Sequence, residues 1–136
     1  MDRSTVKTIT LIFGIVYLAV GILGFIPGIT QATSVTGTSP NEGLLMGIFG
    51  VNLLHNLSHL LFAAILIGGA LMDEHVYTAN KILFVVFVVL VISSFIDPVV
   101  DSLALNVPDL ALHAGSALLT GYLGFLSNRE ARVARS

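Results

Sequence analysis

Val51-Asn52-Leu53-Leu54-His55-Asn56-Leu57-Ser58-His59-Leu60-Leu61-Phe62 sits inside a mostly apolar stretch from Gly43 to Met72, and its reading decides the fold. At helical spacing Asn52, His55, Asn56 and His59 fall at i, i+3, i+4 and i+7, which is one face. Leu53, Leu54, Leu57, Leu60 and Leu61 make the opposite face almost pure leucine. A stretch this long and apolar reads as a bilayer span. A polar stripe at membrane depth has to face protein, a water-filled cavity or a bound ion rather than lipid.

Working outward, the rest of the chain fits that reading. Of 136 residues, 55% are hydrophobic and only 10% are charged, well under half the charged share of soluble domains. Apolar runs recur four times, at about 9–29, 43–72, 80–97 and 109–127. The expected fold class is therefore an all-α integral membrane protein, a four-transmembrane-helix bundle in a single domain over 1–136. The first run is longer than the roughly 7–15 apolar residues of a signal peptide, so it is expected to be retained as a span. The absence of cysteine excludes disulfides and thiolate metal sites.

Charge sets the orientation. Arg3, Lys7, Lys81, Arg129, Arg132 and Arg135 are all the basic residues of the chain, and with four spans every one falls on the same side. Both termini and the middle loop are then cytoplasmic, in a multi-pass protein of the cell inner (plasma) membrane. Three or five spans would split the basic residues between sides. The loops at 30–42 and 98–108 carry no Lys or Arg. Small residues suggest close helix packing, with Gly14 and Gly21 seven apart in the first span, and Gly43, Gly47 and Gly50 on one face of the second.

Counted at ~1.5 Å per residue from the cytoplasmic ends, His59 lies roughly 20 Å above Asp73, His113 roughly 22 Å above Asn128 and Asp97 roughly 24 Å above Lys81. Three helices thus bring ionisable groups to one layer, with His55 just above and Asp109 one turn above His113. His55 and His59 at i, i+4 suit chelation of one ion, and His113, Asp97 and Asp109 are the candidates to complete a shell. Asn52, Asn56 and Ser58 are the supporting polar groups. Without thiols, imidazole and carboxylate point to a transition-metal ion such as zinc, copper or iron. A haem, held by one His from each of two facing helices, is less favoured. Two other readings stay open at this point: a proton or ion pathway, and a structural or accessory subunit whose polar side chains only hold helices together. An enzyme would need water at the metal, and the sequence carries no Gly-rich phosphate loop and no HExxH signature. The expected partners are the lipid bilayer and, beyond it, a second copy of the chain (a homo-oligomer) or a larger membrane complex. The few basic residues do not suit nucleic acid.

The segment 47–62 resembles the core of a prokaryotic membrane family catalogued as domain of unknown function 4383. Members carry a similar Asn-x-x-His-Asn-x-x-His-Leu segment, here Asn52 to Leu60, and a later Asp-x-x-x-His segment, here Asp109 to His113. Where members commonly have Gly after the His-Leu segment, this chain has Phe62-Ala63. The resemblance implies a four-span protein and the same set Asn52, His55, Asn56, His59, Asp109 and His113. It implies no chemistry.

Overall fold

Asp2 opens the first helix, its carboxylate accepting the Thr5 backbone N–H at 2.9 Å and the Thr5 hydroxyl at 2.8 Å. These bonds satisfy donors that a helix start leaves free and hold the Asp2 carboxyl below its usual range. In the computed structural model, which describes residues 1–36 and 42–127, α1 runs Arg3–Leu23. Three short strands follow, β1 (Thr30–Ala32), β2 (Gly43–Leu45) and β3 (Phe49–Val51), paired antiparallel in that order. Then come α2 (Leu53–Leu71), α3 (Val76–Ser93), the short α4 (Asp97–Leu103) and α5 (Val107–Gly121). A π-helical turn, Tyr122–Leu126, carries α5 on to Ser127.

The fold is therefore mostly helical but not all-α, and the second span corrects the expectation most. Residues 43–51 form a hairpin rather than the start of a helix. Both central residues of its turn, Met46 and Gly47, have positive φ (51° and 72°), as a type I′ hairpin turn requires. Gly43, Gly47 and Gly50 thus do not form a helix-packing face. Gly43 lets β2 approach Gln31 of β1, and a Cβ on Gly50 would come within 2.1 Å of the Ala104 carbonyl oxygen. Helix formation begins only after Asn52, whose side chain accepts the His55 N–H at 2.9 Å.

The third span is also shifted. α3 starts at Val76, ends at Ser93, and gives way to α4, where Pro98 occupies the first turn and its missing N–H is no loss. Three helices, α1, α2 and α3, are long and apolar enough to cross a membrane. α5 has 15 residues, short of the roughly 17–25 needed, and reaches that length only with the π turn.

α1 packs along α2, α3 along α5, and α2 also meets α3. Gly14 and Gly21 lie in the α1–α2 seam, where an added Cβ would come within 2.8 Å of Ile67 and of Leu60 respectively. Tyr17, Phe62, Ala63, Leu66, Leu83, Phe87 and Ala117 form the main core. Ile12, Val16, Leu61, Val85, Val89 and Leu118 stay exposed, a belt suited to lipid.

The two ends of the bundle differ. At one, Val6, Val76, Tyr77 and Leu123 form a second core, Lys7 pairs with Asp73, and Arg3 lies over the Tyr77 ring. Lys7 holds the Asp73 carboxyl below its ordinary range. At the other end, the sheet and α4 cap the helices. Arg129, Arg132 and Arg135 lie outside the described residues, as does the 37–41 part of the polar loop.

Candidate metal centre

α2 and α5 enter the bundle from the capped end in the same way. Asn52 caps α2 and Asn106 caps α5, each side chain accepting the N–H three residues on: His55 at 2.9 Å, Asp109 at 3.2 Å. Seven residues after each cap comes a histidine, His59 and His113. Two helices started by the same device and running the same way place those imidazoles at one depth. The caps are also strapped to each other's neighbours. Asn52 donates to the Ser102 carbonyl at 2.9 Å, Asn106 to the Ile48 carbonyl at 2.8 Å, and Gly50 N–H to Asp109 at 3.1 Å. The hairpin, α4 and the two helix starts are thereby one hydrogen-bonded unit directly over the histidines.

Beneath it His55, His59 and His113 converge. They are 2%, 2% and 1% exposed, and one ring nitrogen from each lies within 4.8 Å of the others. Ring centroids are 4.4 Å apart for His55–His59, 5.8 Å for His55–His113 and 6.4 Å for His59–His113. Nitrogens bound to one ion at about 2.0–2.1 Å sit closer than that limit, a distance that small rotations of the rings can close. None of the six ring nitrogens has a hydrogen-bond partner among the described residues. The Gly50 and Leu103 backbone lies alongside His55 without meeting hydrogen-bond geometry.

The walls are aromatic. Phe87 stacks on His113 at 6.1 Å, and Tyr17 meets His59 edge-on at 5.4 Å. Ser116 donates to the Leu112 carbonyl at 2.8 Å, so its 2.8 Å contact with Tyr17 is a bond that the phenol donates. Tyr17 and Ser116 had no distinguishing sequence signal beyond Tyr17 lying between Gly14 and Gly21.

The remaining expected groups separate from this cluster. Asp97 is exposed at the start of α4 and is not part of it, because the helix that was to carry it inward ends at Ser93. Asp109 is 1% exposed, but its Oδ2 accepts the Gly50 and Asn106 N–H groups (3.1 and 2.9 Å), and its Oδ1 has no partner among the described residues. It closes the α5 capping box rather than joining the nitrogens. Asn52 is a cap, outside the helix whose face it was expected to share. Asn56 presses its amide against Gly24, where any Cβ would fall 2.0 Å from Oδ1. Ser58 bonds back to the Leu54 carbonyl at 2.9 Å, within its own helix.

Fold and site together define a helical membrane protein with a buried cluster of three histidines. The chain belongs to the family described as Domain of unknown function (DUF4383), whose profile matches residues 7–126. Searches of curated proteins and of solved structures found no similar chain.

Proposed function

We propose that the protein is a four-span bundle that binds one transition-metal ion through His55, His59 and His113. One observation carries the reading: three buried imidazoles bring a nitrogen each within 4.8 Å while all six ring nitrogens lack a hydrogen-bond partner among the described residues. An unmet buried polar group costs about 1–3 kcal/mol, against a typical total stability of about 5–15 kcal/mol. Ligation would satisfy three of the six at once. Interhelical glue, the rival reading, would leave hydrogen bonds between these rings or to neighbours. A haem between His59 and His113 would need space that His55, Phe62 and Phe87 fill.

The orientation belongs to the same proposal. With α5 and its π turn as the fourth span, Arg3, Lys7 and Lys81 share one end of the bundle, which is the cytoplasmic end of a plasma-membrane protein. The hairpin and α4 then face outward. A cavity of about 330 Å³ lined by Gly24, Pro27, Glu42 and Asn56 opens on that side, its Asn56 one helical turn from His59.

Elemental analysis of detergent-purified protein tests the site. We expect close to one transition-metal ion per chain, lost in His55→Ala, His59→Ala and His113→Ala. Equal metal content in wild type and all three variants overturns it. Cysteines placed at Ser34 and Ser102 should react with an impermeant reagent from outside, and one at Ser136 should not; the reverse pattern overturns the orientation.

A further inference from the structure

We propose that the His55–His59–His113 cluster is built for a monovalent ion, cuprous copper, in preference to a divalent one. This rests on the metal-site reading above and concerns the charge the site is made to hold.

The donor set is the first reason. Among the described residues the group that converges is three imidazoles with no carboxylate, and the chain has no cysteine. Neutral ligands leave the whole charge of the ion inside the bundle. The price of burying a charge rises with its square, so a divalent ion meets roughly four times the penalty of a monovalent one. Sites for divalent zinc commonly add thiolate or carboxylate ligands, and calcium and magnesium take oxygen shells; this cluster offers neither.

Coordination number is the second. Three polar side chains near the rings are committed: Tyr17 donates to Ser116, Ser116 to Leu112, and Asn52 to Ser102. Phe62, Phe87 and Tyr17 close the sides. Cupric copper favours tetragonal sites and zinc four ligands, but a filled d shell and low charge let cuprous copper rest with three nitrogens.

The test is a competition on intact wild-type protein in detergent. Under anaerobic, reducing conditions, Cu(I) is titrated against a chromogenic cuprous chelator, and Zn(II) and Co(II) are dialysed in parallel. We expect one Cu(I) per chain, held at least 100-fold more tightly than either divalent ion, with the preference lost in His59→Ala and in His113→Gln. Stoichiometric, histidine-dependent retention of Zn(II) or Co(II), with Cu(I) no tighter, would overturn the monovalent assignment and leave the metal site standing. Binding of no ion by wild type would overturn both.

Discussion

Two buried polar groups in the same bundle solve the same problem differently. Near the Lys7–Asp73 end, Asn80 and Thr10 are both 0% exposed, and Asn80 donates to the Thr10 hydroxyl and to the Val76 carbonyl, each at 2.8 Å. Its Oδ1 has no partner among the described residues. That is how polar side chains tie membrane helices together. Near the capped end, three imidazoles of equal burial lie side by side and bond to none of the described groups. The difference teaches that burial of polar residues is not in itself a sign of a site. What separates the two is whether the protein supplies the partners.

The largest effect should come from removing a ligand. His59→Ala should lower metal affinity at least 100-fold, exceeding the 10–100-fold typical of a residue that only supports a ligand, as equilibrium dialysis would show. Because protons compete for the ligating nitrogen, wild-type affinity should also fall as pH is lowered. An unchanged affinity in the variant would make the two polar groups alike.

In metal-free protein the order should reverse. Asn80→Ala breaks satisfied bonds and leaves Thr10 buried without its donor, so it should cost about 1–2 kcal/mol. His59→Leu removes unmet nitrogens and keeps volume, so thermal unfolding should be unchanged or shifted upward. A loss in His59→Leu as large as that in Asn80→Ala would show that the imidazole has protein partners after all.

Much of this was legible beforehand. The polar stripe on an apolar helix and the matched depth of His59 and His113 pointed to the convergence of helices two and four. The hairpin was not read, although its signals were present: three glycines within residues 43–50, then Asn52 as a cap. The apolar run through Leu44, Leu45, Met46, Ile48 and Phe49 hid them, because a short buried strand and a buried helix segment have the same composition. Asp97 was misplaced for a related reason. Depth counted along an assumed continuous helix fails once Ser94–Ile96 turns the chain out. The Tyr17–Ser116 and Asn80–Thr10 bonds join distant segments, and single residues without spacing give no sign of such pairs.

Smaller effects mark the edges of the contrast. Tyr17→Phe removes one donated bond but leaves Ser116 bonded to Leu112, so stability should drop by about 0.5–1.5 kcal/mol, with metal stoichiometry unchanged. Asp73→Asn should matter least, since the Lys7–Asp73 pair is exposed and exposed pairs contribute little. Lys7 holds the Asp73 carboxyl below 3.8. The pair's contribution is therefore present above that pH, lost as pH falls below it, and absent from the variant throughout. A pH-stability series at low salt would read this, and a variant slightly less stable than wild type at pH 7, with the difference shrinking as pH falls through the acid range, is the expected outcome.

X-ray absorption of the metal-loaded protein tests the central claim most directly, because it reports the atoms around the ion themselves. We expect a first shell of three nitrogens at about 2.0 Å, with the outer-shell scattering of imidazole rings, lost in the His59→Ala protein. A shell of oxygens alone, or a spectrum indifferent to His59, would contradict a three-histidine centre.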